Sequence, residues 1–74
     1  MYKNLKAEMA RYGFTIEMLS KKVGVSSVTM NRKLNGIRDF YLSEALMIKG
    51  AFDEVGANFT LEYLFFTADS DISE

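Results

Sequence analysis

Four residues near the middle of the chain combine polar and apolar side chains at helical spacing: Ser27, Val28, Asn31 and Arg32. On a helix that begins near residue 27 they share one face, whereas Met30 and Leu34 lie on another. An arginine can donate two hydrogen bonds to O6 and N7 of guanine, an asparagine can pair with adenine, and a valine can contact a thymine methyl group. A serine can bind a base edge or a phosphate. This face predicts base contacts in the major groove of DNA, and the competing interpretation is an ordinary solvated helix surface.

The residue types that most catalytic and metal sites use are missing, because the chain has no histidine and no cysteine among its 74 residues. The commonest general base, the commonest zinc ligand and all thiolate ligands are thereby excluded. The sequence has no phosphate-binding loop, and the adjacent carboxylates of Asp53 and Glu54 would diverge on a helix. We therefore expect a protein that is not an enzyme, holds no metal or cofactor, and has no evident small-molecule ligand.

The four candidate base contacts would lie on the second of two helices joined by a short turn. Thr15 suits the N-cap of a helix that ends at Gly24, and Ser26 suits the N-cap of the helix 27–34. Gly24 permits a sharp turn, and the small Ser20 allows the second helix to approach closely. Apolar side chains would hold the two helices together: Leu19, Val23, Val25 and Met30.

Positions beside this face suit phosphate groups, which orient a protein on duplex DNA. The start of the helix after Thr15 offers free backbone amides to an anion. Cationic and amide side chains lie on the other side of the face, and a serine caps the helix 27–34. The predicted phosphate contacts are Thr15, Ile16, Ser26, Lys33, Asn35 and Arg38.

The charges of the chain are divided unevenly between its two halves. Residues 1–38 carry eight basic and two acidic side chains, a net charge of +6, whereas residues 39–74 carry one basic and eight acidic side chains, a net charge of -7. DNA phosphates respond to the local field, so a basic half is compatible with DNA binding despite a total net charge of -1. The alternative is a chance distribution of solvated charges.

Apolar spacing predicts three further helices around this pair. Residues 2–12 place apolar side chains on one face before Gly13, at positions Leu5, Met9 and Tyr12. A fourth helix follows the connection 37–41, and we expect four of its residues to face the core: Leu42, Ala45, Leu46 and Phe52. Thr60 would cap a short fifth helix that contains Leu61, Leu64 and Phe65.

These elements predict an all-α fold, a compact bundle of about five short helices with a central helix-turn-helix. A single DNA-binding domain would span residues 1–67, and residues 68–74 would form a mobile acidic tail. The sequence has no run of about 18 apolar residues and no signal-peptide pattern. We therefore expect no association with a membrane and a location in the cytoplasm.

The order and spacing of these segments resemble the lambda-repressor-like helix-turn-helix family (Cro/CI, XRE), especially the short Cro-like regulators of phages of Gram-positive bacteria. Residues 13–36 have the spacing of the helix-turn-helix itself. Residues 32–36, Arg-Lys-Leu-Asn-Gly, resemble the stretch that leaves the recognition helix. Residues 42–49 and 61–66 are similar to the fourth and closing helices. Together these segments cover most of residues 4–66.

The resemblance implies a transcription regulator of the repressor or Cro type, in which the helix 27–34 lies in the major groove. It also implies two-fold dimers on pseudo-palindromic operators, and phosphate contacts at Thr15 and Asn35. Members of the family often have glutamine at the start of the recognition helix, where this chain has Ser27 and Val28. The preferred bases therefore do not carry over from the family.

The C-terminal half has more aromatic residues than a short helix needs. Most of them must fill the core, and a surplus on the surface often marks a contact between subunits. We expect a homodimer through this region, with three candidate residues: Phe59, Tyr63 and Phe66. The alternative is a monomer in which all the rings are buried.

A second reading of the whole chain is a protein-interaction module, such as an antitoxin or an anti-repressor. Such a module would keep the helix-turn-helix fold and bind a protein through its acidic half. Loss of specific DNA binding on replacement of Arg32 by alanine would favour the regulator over this module.

Overall fold

Five helices follow one another in the computed structural model, which describes residues 2–67. They are α1 (Lys3–Tyr12), α2 (Ile16–Val23), α3 (Ser27–Leu34), α4 (Leu42–Glu54) and α5 (Leu61–Leu64). No strand occurs between residues 2 and 67, so the predicted all-α class is confirmed for this part of the chain. The predicted acidic tail, residues 68–74, lies outside the described residues.

Side-chain caps begin three of the helices where the sequence predicts them. The Thr15 hydroxyl accepts a hydrogen bond from the Met18 amide at the start of α2, and Thr60 does the same for Tyr63 in α5. Ser26 caps α3 by accepting from the Thr29 amide at 3.1 Å. Each cap satisfies a backbone donor that has no partner within the helix, which fixes the residue at which that helix begins.

The turn between α2 and α3 depends on Gly24, whose φ of 89° is left-handed. Its amide and that of Val25 both donate to the Ser20 carbonyl, which closes the end of α2. A side chain at this φ would be strained, and glycine is not. The chain can therefore reverse within three residues and pack α3 against α2, which also packs against α4.

The core is centred on Phe52, which is fully buried. Its ring lies 4.7 Å from that of Phe14 and 5.6 Å from that of Phe59, measured between centroids. Burial of a phenylalanine side chain removes more apolar surface from water than burial of most other core side chains does, so it contributes more to the stability of the fold. The other buried apolar side chains come from all five helices: Leu5, Met9, Leu19, Met30, Leu34, Ala45, Ile48, Ala51 and Leu64.

The prediction that four residues of α4 face the core is wrong for two of them. Leu42 is 68% exposed and Leu46 is 49% exposed, whereas the predicted Ala45 and Phe52 are buried together with Ile48. The buried positions follow the spacing i, i+3 and i+7, which defines one face of a helix. Successive residues turn by about 100°, so Leu46 is rotated away from this face and Leu42 lies beyond its edge.

A hydrogen bond between the buried Glu8 and the partly exposed Tyr63 joins α1 to α5. The Tyr63 hydroxyl donates to Oε2 of Glu8 at 2.6 Å, and the other oxygen of this carboxylate lies 3.0 Å from Nε of Arg11. Glu8 is only 4% exposed, so these contacts compensate a charge that has been removed from water. The hydrogen bond to Glu8, followed by desolvation, raises the pKa of Tyr63 above its ordinary value, while Arg11 opposes the shift.

This raised pKa predicts an alkaline dependence of stability. A raised folded-state pKa contributes stability that is fully present below the ordinary tyrosine pKa and is lost as the pH rises through the raised value. The Tyr63→Phe variant should therefore be less stable than the wild type at neutral pH, and the difference should shrink at alkaline pH. Urea unfolding across this range measures the difference. Tyr41→Phe is the matched control, and an equal pH dependence in both variants would contradict the role of the Glu8 contact.

Candidate nucleic-acid interface

The outward face of α3 carries the four residues predicted to contact bases. Ser27, Val28, Asn31 and Arg32 are all exposed, and Val28 keeps 60% of its surface accessible. Within residues 2–67 no ion pair engages Arg32, so its guanidinium is free for a ligand. One helix face thus presents a hydroxyl, an amide, a guanidinium and an apolar group, which can together distinguish base pairs.

The inward face of α3 fixes the helix to the rest of the protein. Met30 and Leu34 are buried in the core at 0% and 2% exposure. The hydroxyl of Ser26 also donates to Thr29 Oγ1 at 3.0 Å, in addition to capping the helix. The exposed side chains therefore project from a helix whose start and inner face are both held in place, and such preorganisation favours specific binding.

Lys33 is not available for the phosphate contact that the sequence predicts. It is 5% exposed, and its Nζ lies 2.9 Å from Oε1 of Glu44 and donates to the Asp39 carbonyl at 2.9 Å. The ammonium also lies 4.8 Å from the centroid of the Tyr41 ring, which adds a cation–π contact. The reason for the error is tertiary: the first turn of α4 brings a carboxylate onto α3. Lys33 anchors α3 to α4 in the folded chain.

The Glu44 carboxylate is held at the same junction from two sides. Its Oε1 accepts from the Tyr41 amide at 3.0 Å, which caps α4, and also faces Lys33. Burial alone would raise the pKa of Glu44, but the Tyr41 amide and the Lys33 ammonium together lower it below its ordinary value. Glu44 is therefore ionised at neutral pH and forms a charged contact with Lys33.

The start of α2 and the end of α3 meet α1 at a cleft whose lining is mainly apolar, with a few polar groups that a phosphate could reach. Lys6, Thr15 and Asn31 supply the polar groups, and the other lining residues are Met9, Ala10, Phe14, Ile16 and Leu34. Ile16 itself is half-buried and packs against the core, so only its backbone amide is a candidate contact. The hydroxyls of Thr15 and Ser26 are engaged in capping, yet both residues lie exposed at a helix start, where anions bind favourably.

Lys6 is a candidate phosphate contact that sequence reasoning missed. Its Nζ donates to Oδ1 of Asn35 at 2.7 Å, and Nδ2 of Asn35 donates to the carbonyl and side-chain oxygens of Asn31 at 2.9 and 3.2 Å. These hydrogen bonds thus join the ammonium group of Lys6 on α1 to Asn35 and Asn31, two polar residues of the candidate interface. Lys6 and Asn35 are 29 positions apart, so no local pattern indicates this contact.

The charged side chains that have no ion pair within residues 2–67 are of both signs: Lys3, Lys6, Lys21, Arg32, Arg38, Glu17, Asp39 and Glu62. Arg38 and Lys21 are exposed and have no ion pair in the described part of the chain, like Arg32. By contrast, Lys22 lies 2.9 Å from Oε2 of Glu54. The basic half of the sequence therefore supplies fewer available cations than its composition suggests.

The three candidate dimer residues have different surroundings. Phe59 is half-buried and packs against Phe52 and Tyr63, with a ring distance of 5.2 Å to the latter. Tyr63 is 38% exposed and its hydroxyl is bound to Glu8. Phe66 is 47% exposed. Phe59 and Tyr63 are thus in contact with each other, and a dimer contact through these three residues stays a prediction.

Comparisons with known proteins found no similarity: no family model, curated protein or solved structure matches this chain. Across residues 2–67 no helix is long and apolar enough to span a membrane. The same residues contain no group of three or more acidic, histidine or cysteine side chains placed to hold a metal ion.

Proposed function

We propose that this chain is a sequence-specific regulator that binds double-stranded DNA, with α2 and α3 as a helix-turn-helix. The observation that carries the proposal is the arrangement of α3. Its outer face exposes Ser27, Val28, Asn31 and Arg32, while its inner face is fixed by buried Met30 and Leu34. A rigid helix with a mixed polar and apolar outer face is what major-groove readout requires.

Direct readout is assigned to side chains with complementary chemistry. Arg32 would donate to guanine O6 and N7, which is worth about 1–3 kcal/mol of discrimination against the wrong base. Val28 would contact a thymine methyl, and Asn31 would approach adenine. The hydrogen bond from Asn35 to Oδ1 of Asn31 supports this role because it restricts the Asn31 side chain before binding.

Phosphate contacts would flank α3 on two sides. On one side lie Lys6, Asn35 and the start of α2 at Thr15 and Ile16. Lys6 lines the same cleft as Thr15 and Ile16 and donates a hydrogen bond to Asn35. On the other side lies the exposed guanidinium of Arg38. Groups at both edges of a helix would fix its depth and register in the groove without reading sequence.

A regulator of this kind would bind a pseudo-palindromic operator as two copies, in the cytoplasm of a bacterial cell. Each copy would read one half-site, and the two half-sites would lie about one helical turn apart. The repressor or Cro-like role rests on the family resemblance of residues 13–36 and their flanking segments.

The salt dependence of binding to mixed-sequence duplex DNA tests the electrostatic part of this proposal. We expect binding at low salt that weakens steeply as salt is added, because each neutralised phosphate releases counterions. Fluorescence anisotropy of a labelled duplex measures the slope. Lys6→Ala should reduce its magnitude by roughly one, and Lys22→Ala, whose cation is paired with Glu54, should leave it nearly unchanged.

Two results would contradict the proposal in different ways. If no duplex is retained at low salt, the DNA-binding function fails and a protein-interaction module becomes the better account. If Lys6→Ala and Lys22→Ala change the slope equally, DNA binding stands but the assignment of phosphate contacts fails.

A further inference from the structure

Two asparagines and a lysine form a series of hydrogen bonds that ends on the outer face of α3. Nζ of Lys6 donates to Oδ1 of Asn35 at 2.7 Å. Nδ2 of Asn35 in turn donates to Oδ1 of Asn31 at 3.2 Å and to the backbone carbonyl of Asn31 at 2.9 Å. We call these three side chains the amide relay. Asn31, at its outer end, is exposed and belongs to the face assigned to base contacts.

The direction of each hydrogen bond in the amide relay follows from the chemistry of Lys6. An ammonium group donates and cannot accept, so Asn35 must turn its carbonyl oxygen towards it. The amide nitrogen of Asn35 then faces Asn31 and can only donate. Asn31 must therefore turn an acceptor, Oδ1, towards Asn35. A lysine of α1 thus determines which way round both amides of α3 and its C-cap are held.

We propose that the amide relay makes Asn31 a hydrogen-bond donor in the major groove, so that it reads N7 of a purine without distinguishing adenine from guanine. The inference rests on the proposed function, because it requires α3 to lie in the groove. An asparagine that is specific for adenine donates to N7 and accepts from N6 at the same time. Here Asn35 holds Oδ1, so Nδ2 is the group that Asn31 presents to a base. Both purines have an acceptor at N7.

Asn35 and Lys6 are therefore positioning residues, which affect base preference without touching a base. Turning Oδ1 of Asn31 towards adenine N6 would exchange the hydrogen bond to Asn35 for one to the base, so the second base contact would add little affinity. Lys6 uses one of its N–H groups on Asn35, and its other N–H groups can still reach a phosphate. The same lysine would thus contribute to affinity for any duplex and to the orientation of Asn31.

Asn35→Ala is the most informative variant, because it removes the donor that holds Oδ1 and leaves Asn31 in place. The freed oxygen can accept from N6, so the preference for adenine over guanine at the contacted base should rise by about fivefold, the effect of one added hydrogen bond. Selection from a random duplex pool identifies that base as the position at which Asn31→Ala loses its preference for purines. Anisotropy titrations with duplexes that differ only there measure the ratio. The rise should vanish when Asn35→Ala is combined with Asn31→Ala.

Two lysine variants separate the relay from a general effect of charge. Without its ammonium, Asn35 can turn either way, so Lys6→Met should shift the adenine-to-guanine ratio in the same direction as Asn35→Ala. Lys3→Met is the matched control, because Lys3 is also an exposed lysine of α1 and lies outside the relay. It removes the same charge and should leave the ratio unchanged. Equal ratios in the two lysine variants would contradict the role of Lys6.

The relay is also tested without DNA, by ¹⁵N relaxation of the side-chain amide groups in solution. The amide of Asn31 should be more restricted than that of the exposed Asn58 in the wild type, and should become as mobile as Asn58 in Asn35→Ala. An Asn31 amide that is equally mobile in both proteins would overturn the relay whether or not the chain binds DNA.

The DNA measurements distinguish this inference from the proposed function. If the wild type enriches a sequence and Asn35→Ala has the same adenine-to-guanine ratio, the inference fails and the proposed function stands. If the wild type enriches no sequence, the proposed function fails and the inference fails with it.

Discussion

Replacing Lys33 with methionine should lower the free energy of unfolding by about 3 kcal/mol. The substitution keeps the length of the side chain but leaves the Glu44 carboxylate without its cation at the junction of α3 and α4. Removing one partner of a buried pair typically costs 3–5 kcal/mol, and the low end applies because 12% of the Glu44 side chain remains exposed. Urea unfolding followed by circular dichroism measures the loss.

The double variant Lys33→Met with Glu44→Gln is the control for this result. It removes both charges together, so no uncompensated carboxylate remains, while the amide oxygen of glutamine can still accept the hydrogen bond from the Tyr41 amide that caps α4. We expect it to recover most of the lost stability. A double variant no more stable than Lys33→Met alone would show that the single substitution acts through packing instead.

The acid dependence of stability provides a second readout of the same contact. The lowered pKa of Glu44 contributes stability that is present above the ordinary glutamate pKa and is lost as the pH falls through the lowered value. In Lys33→Met the cationic partner is gone, so this part of the acid-induced loss should diminish. An unchanged acid profile would contradict the ion pair as the source of the shift.

Replacing Arg32 with alanine should weaken binding to a preferred operator by about 10- to 100-fold, which corresponds to the loss of one good base contact. The loss should be confined to preferred sequences, because Arg32 is assigned to a base edge. Replacing Arg38, a second exposed arginine assigned to phosphate, should weaken binding to all duplexes by a similar factor. Anisotropy titrations with the preferred and a scrambled duplex measure both effects.

The two arginine variants differ in the ratio of their affinities for the two duplexes. Arg32→Ala should bring this ratio towards one, and Arg38→Ala should leave it near the wild-type value. Reversed behaviour would exchange the two assignments. No effect of Arg32→Ala on the preferred duplex would contradict the role of the α3 face in base readout.

Local rules were sufficient to predict the parts of the fold that depend on neighbouring residues. The caps at Thr15 and Ser26 and the turn at Gly24 are set by side chains and backbone conformations within a few positions. The exposed face of α3 followed from helical periodicity, because Met30 and Leu34 are apolar positions four residues apart in a helix whose other residues, apart from Val28, are polar. These features required no knowledge of the remaining chain.

Contacts between distant segments could not be predicted in the same way. The role of Lys33 depends on Glu44, which reaches it only when the connection before α4 folds back. The orientation of α4 was ambiguous because apolar residues occur around most of its circumference, including Leu42 and Leu46 on the outside. Lys6 joins the candidate interface through Asn35, 29 residues away. In each case the local sequence pattern is compatible with more than one position for the side chain, and tertiary packing determines which position it takes.

Selection of bound duplexes from a random DNA pool tests the central claim most directly. The proposed function predicts that the wild-type chain enriches a defined sequence, with two half-sites about one helical turn apart. It also predicts that Arg32→Ala loses the preference at one position in each half-site while keeping the others. Enrichment of no sequence, or an enriched sequence that Arg32→Ala reads unchanged, would contradict the assignment of α3 as the helix that reads DNA.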